Sequence, residues 1–308
     1  SSLVVTDSAG TPATLALGTN YTADPDFGAL QFLDTTGFTA PFKASYAYGV
    51  ATLFGIFTQA LPQRIQRLVG AVSAPEGAPA VDVLRTASRE QLLEIAALDL
   101  TSGDPLVSLP ETAAALADLA QAALEAALVI ARDEVGADAG RTRLAVIAMG
   151  KTGGRELNYI SDVDVIFVAE PADGVPEEES TAIATDLATR LMRICSASTA
   201  TGALWQVDPA LRPEGKNGPL VRTVASHRSY YERWAKTWEF QALLKARPVA
   251  GDAEVGQAYC DAVQPMVWQA STRENFVADV QAMRRRVEQH IPSAEAARQL
   301  KLGAGGLR

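Results

Sequence analysis

The chain has 308 residues, 48% of them hydrophobic and 20% charged, which is the composition of an ordinary soluble globular protein with material for two domains, or for one with a helical appendage. Its net charge of −9 argues against a non-specific nucleic-acid binder, which needs a basic field, but leaves room for a nucleotide whose phosphates a metal ion bridges to carboxylates. Two cysteines without a CxxC spacing, Cys195 and Cys260, exclude a disulfide framework or a zinc site and fit a reducing cytoplasm.

In chain order, residues 1–35 are rich in Ser, Thr, Asp, Gly and Pro and read as loop or loosely packed structure. The start lacks the basic region of a signal peptide. Residues 44–63 carry no charge and are long enough to cross a bilayer, but Ser45, Tyr46, Thr52, Thr58, Gln59 and Pro62 favour a buried segment of a soluble protein. A second break falls at 73–79. From Val81, apolar residues recur at helical spacing through Leu100, and Ser108, Pro110 and Glu111 read as the start of a long Ala/Leu helix over 112–135. The period then changes. Residues 144–148 and 163–168 read as buried strands, 177–197 as a helix, 204–207 as a third strand, and 226 onward as helical again, through 238–247 and 275–290. The expected organisation is therefore an N-terminal region (1–80), a helical region (81–140), a small α/β core (141–225) and a further helical region (226–308). His227 and His290 are too scattered for a metal cluster and read as surface or partly buried residues.

Chemistry concentrates in the core. Asp162 and Asp164 stand two apart at the start of an apolar strand, so their carboxylates share a face. Two like charges held together call for a cation, unless they simply mark a solvated strand end, and Mg²⁺ commonly joins protein carboxylates to substrate phosphates. Asp208, at the end of the third strand, supplies a third carboxylate, and three from two strands can hold two ions in the manner of an in-line displacement site. Before the pair lies the turn 149–158 (MGKTGGRELN). Its Gly153 and Gly154 allow a backbone to approach a phosphate, and Lys151 and Arg155 offer charge-assisted contacts. It is neither a P-loop nor a dinucleotide fingerprint. After Asp208 comes the Gly/Pro loop 211–221, whose Arg212 and Lys216 are placed for a phosphate or nucleotide, or for a solvated surface turn. In the helix expected at 238–247, the apolar residues read as packing, while Lys245 and Arg247 are candidates for reaching phosphates.

Together the segments 147–167 (IAMGKTGGRELNYISDVDVIF), 207–221 (VDPALRPEGKNGPLV), 230–252 (YYERWAKTWEFQALLKARPVAGD) and 301–308 (KLGAGGLR) resemble the glutamine synthetase adenylyltransferase/adenylyl-removing enzyme family, over roughly residues 81–308. The resemblance implies an α+β fold: a polymerase-β-like nucleotidyltransferase core with a small mixed sheet, flanked by helical regions. It implies Asp162, Asp164 and Asp208 as metal and catalytic carboxylates. It places Gly153 and Gly154 in the nucleotide turn, with Ser161, Lys151, Arg212, Lys216, Lys245 and Arg247 as candidate nucleotide or phosphate ligands. It further implies a cytoplasmic enzyme using Mg²⁺, ATP or ADP and phosphate, with glutamine synthetase as protein substrate, a PII-type signalling protein as regulator, and neither nucleic acid nor membrane as partner. Tyr159, the Leu-Leu-Lys-Ala-Arg run and the Glu-Arg-Trp helix look most like the N-terminal module of actinobacterial members, which removes AMP from a tyrosine by phosphorolysis. The alternatives are ATP-dependent adenylylation of the same tyrosine, or a non-catalytic nucleotide- or PII-binding module. Ala304 stands where the family has proline, and the expected acidic continuation does not follow Arg308, so a truncated helical domain is expected.

Overall fold

A computed structural model describes residues 61–73, 78–289 and 291, and the backbone of five short strands between residues 3 and 46. Two compact units result, residues 1–59 and 60–308. In the first, β1 (Leu3–Thr6) pairs antiparallel with β2 (Thr14–Leu15) and with β5 (Lys43–Tyr46), while β3 (Tyr21–Asp24) and β4 (Ala29–Phe32) form a separate antiparallel pair. The loop expected over 1–35 thus gives way to strands. These strands are at most four residues long, too short for their alternation to stand out against the turn residues around them. The apolar segment read at 44–63 falls mostly outside the described residues.

The second unit opens with three helices: α1 (Leu61–Ser73), α2 (Ala80–Thr101) and α3 (Pro105–Val135). Helix α1 is not foreshadowed by the residue pattern, and α3 starts seven residues before the expected 112. Asp104 moves the start forward: its side chain caps the Leu106 N–H at 2.9 Å, and Pro105 occupies the first turn, where a missing N–H costs nothing. Pro110 consequently lies inside the helix. From Leu116 to Ala131 α3 is buried on nearly every face, packed by α1, α2 and α5 (Glu177–Ser196). It is long and apolar enough to span a membrane, but an all-round apolar helix enclosed by other helices is a core helix.

The core sheet holds five strands: β6 (Thr142–Ala148), β7 (Val163–Pro171), β8 (Val207–Asp208), β9 (Val221–Arg222) and β10 (Arg247–Gly251). The order is β10-β6-β7-β8. β6 pairs antiparallel with both β10 and β7, while β8 and β9 run parallel to β7 along its other edge, at its start and its middle. This is the small mixed sheet of the expected α+β architecture. Alternate residues face opposite layers. Leu144, Val146, Val165 and Phe167 pack with the helices α1–α3 and α5. Ala145, Ile147, Ile166 and Val168 pack with α6 (Val224–Arg233), α7 (Thr237–Leu243) and α8 (Ala253–Ala270). The chain continues into α9 (Phe276–Gln289).

β9 and β10 are absent from the sequence reading, which ran a helix through to Arg247. The helix in fact ends at Leu243, and Pro248 keeps Arg247 extended, because the residue before a proline is pushed out of the helical region. The chain then extends as an edge strand, bulged between Pro248 and Ala250, where a missing N–H is tolerated. His227 also departs from expectation: it is 1% exposed, its ring stacked on Tyr231 and edge-on to Tyr259 beneath the sheet.

Candidate metal and nucleotide site

Two strand registers build the site. β6 hands over to β7 through the turn, with Ala148 opposite Val165 and the Met149 N–H donating to the Asp164 carbonyl at 2.9 Å. Asp162 and Asp164 continue the face that carries Ile166 and Val168, beyond the point where helices cover it. β8 lies parallel with Asp208 abreast of Asp164. One carboxylate oxygen from each of Asp162, Asp164 and Asp208 lies within 4.8 Å of the others. The Asp208 Oδ1 accepts the Ala210 N–H at 2.8 Å, which fixes the carboxylate at the strand end. Three anionic groups this close repel unless a cation lies among them, and an all-oxygen set suits a hard ion such as Mg²⁺.

The turn is a single helical turn, α4 (Gly150–Gly153). Gly150 has φ +51°, and a Cβ there would sit 2.6 Å from the Asp164 Oδ2, so the turn backs directly onto that carboxylate. Gly153 packs differently: a Cβ would lie 2.0 Å from the Lys245 carbonyl oxygen and 2.7 Å from that of Ala148. The N–H groups of Gly153 and Gly154 donate within the turn, to the carbonyls of Met149 (2.9 Å) and Gly150 (3.1 Å).

The candidate cations divide. Lys151 donates to the Asn158 Oδ1 at 3.1 Å, and Ser161 directly precedes the carboxylate pair. Lys216 is exposed in a short 3₁₀ turn, and Arg212 shapes that loop through the carbonyls of Pro209 (2.9 Å), Pro219 (3.2 Å) and Gly218 (3.3 Å). Burial lowers the Arg212 pKa while the charge of Asp208 raises it. Arg155 adopts φ 57° and pairs with Asp118 of α3 at 2.6 Å. Lys245 pairs with Glu156. Arg247 donates to the carbonyls of Gly153 and Thr152, both at 3.1 Å, and to the Gln121 Oε1 of α3. Lys245 and Arg247 are thus engaged at the end of the turn away from Gly150. Asp118 and Gln121 were not singled out in the sequence, although polar residues inside an Ala/Leu helix were a signal: both are buried, and a buried polar side chain needs a partner.

Comparison with known proteins identifies the frame around this geometry. A family model described as glutamate-ammonia ligase adenylyltransferase matches residues 55–262. Three proteins named bifunctional glutamine synthetase adenylyltransferase/adenylyl-removing enzyme align with most of the chain. The one from Streptomyces avermitilis is 62% identical over 73% of this chain and 22% of its own length. That from Mycobacterium tuberculosis is 55% identical over 80% and 24%, and that from Cutibacterium acnes 54% over 75% and 23%. The chain spans less than a quarter of the length of these relatives. The matched stretch contains the whole sheet, the turn and all three carboxylates, and the chain belongs to the glutamate-ammonia ligase adenylyltransferase family.

Proposed function

We propose that the chain is a metal-dependent nucleotidyl-transfer module that regulates glutamine synthetase by removing AMP from a tyrosine: adenylyl-tyrosine and phosphate give tyrosine and ADP. The observation that carries the reading is the meeting of the Asp162, Asp164 and Asp208 oxygens within 4.8 Å on a sheet of this family. The names of the relatives support glutamine synthetase as the acceptor and both directions as the family's repertoire. The removing direction rests on the likeness of Tyr159, the run 243–247 and the helix around 232–234 to the N-terminal module.

In this reading the three carboxylates hold one or two Mg²⁺ ions, which when bound neutralise phosphate charge and assist the leaving oxygen. Asp164 is held by the turn behind it and Asp208 by the Ala210 N–H, so both are preorganised. Lys151, Ser161 and Lys216 would contact the phosphates: Ser161 directly precedes Asp162, and Lys216 is exposed on the loop that follows Asp208. Attack by phosphate needs no strong base, because the nucleophile is already anionic. The tyrosine leaves with an intrinsic pKa of about 10, so its departure calls for charge stabilisation. In a cytoplasmic setting a PII-type protein would tune the balance of directions.

Incubating the protein with adenylylated glutamine synthetase, Mg²⁺ and phosphate should release ADP. Incorporation of AMP from ATP into the unmodified enzyme, with no ADP release, would reverse the direction. Neither reaction, with intact nucleotide binding, would make the chain a binding module.

A further inference from the structure

Behind the turn, two arginines tie it to helix α3. Arg247, at the start of β10, directs its guanidinium at the Thr152 and Gly153 carbonyls, both at 3.1 Å, while the Gln121 side chain of α3 seats its third nitrogen. Arg155, just past the turn, reaches Asp118 one helical turn earlier on α3, at 2.6 Å. The Lys245 carbonyl presses on Gly153 from the same side. The other end of the turn meets Asp164: Gly150 sits against its Oδ2 with no room for a methyl group. A rigid one-turn helix therefore links the fork of Arg247 to the carboxylate.

We propose that Arg247, seated by Gln121, is a positioning residue that sets the Gly150–Gly153 turn against Asp164 and thereby fixes the geometry in which the carboxylates bind a divalent ion. The proposal rests on the reading of Asp162, Asp164 and Asp208 as metal ligands. Planarity is the essential property: a guanidinium bonds two adjacent carbonyls and a side-chain oxygen at once, whereas a lysine ammonium of the same charge has no rigid fork. Groups outside the ligand shell that orient a ligand typically change metal affinity by about 10–100-fold when lost.

The test is a Mn²⁺ titration of the whole chain, followed by electron paramagnetic resonance. Arg247→Lys and Gln121→Leu should each weaken Mn²⁺ binding by about tenfold or more, with folded near-ultraviolet circular dichroism. Arg143→Gln serves as the control. It breaks the ion pair with Asp252 (2.8 Å) at the far end of the same two strands and should leave Mn²⁺ affinity unchanged. If Arg247→Lys does not fold, Gln121→Leu decides. A lower melting temperature with unchanged Mn²⁺ affinity would make the clamp structural only and overturn the proposal. Wild-type protein that binds Mn²⁺ no better than Asp164→Asn would instead overturn the metal-ligand reading, and this proposal with it.

Discussion

Replacing the turn glycines one at a time separates packing from phosphate contact. At Gly153 an added Cβ meets two backbone carbonyls, those of Lys245 at 2.0 Å and Ala148 at 2.7 Å, and backbone cannot rotate away. Relief requires lifting the turn off the start of β10, which breaks the two Arg247 bonds to Thr152 and Gly153. Overpacking costs about 1–3 kcal/mol and the two charge-assisted hydrogen bonds about 1.5–3 kcal/mol each, so Gly153→Ala should destabilise by roughly 4–9 kcal/mol. For a unit of this size that is a fall of about 10 °C or more in melting temperature. Gly154 has φ −75°, and a Cβ there meets the Lys245 Cδ at 2.8 Å and the Glu156 Cδ at 3.3 Å, both in flexible side chains, so Gly154→Ala should cost less than about 1 kcal/mol. Gly150→Ala combines a left-handed backbone, worth about 1–2 kcal/mol, with displacement of the Asp164 carboxylate. It should therefore lose Mn²⁺ affinity as well as stability. Urea unfolding read by circular dichroism gives the first quantity and Mn²⁺ titration the second. A Gly153→Ala protein within about 1 kcal/mol of wild type, or Gly154→Ala as the more damaging of the two, would refute the packing account.

Two further outcomes follow from the same geometry. Asp208→Asn keeps the shape and the Ala210 contact but removes a charge from the cluster, and should lower both AMP removal and AMP addition by about a hundredfold; unchanged rates in either direction would exclude Asp208 as a metal ligand. His227 is held at a pKa of about 3, chiefly by burial and also by the charge of Arg222. The unfolded chain takes up that proton near its ordinary value of about 6.5, so the contribution to stability is complete above that pH. It is lost on going down toward pH 3, at about 1.4 kcal/mol per pH unit. His227→Phe should flatten the fall in urea midpoint between pH 7 and 5, and a variant with the wild-type slope would contradict this.

What was legible in the sequence depended on how local its cause was. The two-residue spacing of Asp162 and Asp164 dictates a shared face, and the structure continues that face into Ile166 and Val168. The central strands β6 and β7 announced themselves as unbroken apolar runs because helices cover both their faces. The third strand, read at 204–207, shrinks to Val207–Asp208 in β8, and β9 is likewise two residues, too short for any period; both exist only because β7 offers them its free edge. β10 was read as the end of a helix, since its pairing with β6 is a fact about residues roughly a hundred positions away.

The cations around the turn show the same limit in electrostatic form. Beside glycines and carboxylates, an arginine in a sequence can be read as a phosphate ligand, and Lys151, Arg155, Arg212, Lys216, Lys245 and Arg247 all qualify on that ground. Burial divides them in the fold. Arg247 is desolvated enough to lower its pKa, so its guanidinium must be met by protein acceptors, and it finds two carbonyls of the turn and Gln121. Lys216 stays exposed in its short 3₁₀ turn. The partners that decide between these uses, Asp118 and Gln121, lie on a helix whose Ala/Leu composition reads as plain packing. Two polar residues left inside such a helix are thus as informative about the site as the glycines, because a core helix carries a buried carboxylate or amide only where another element brings it a donor.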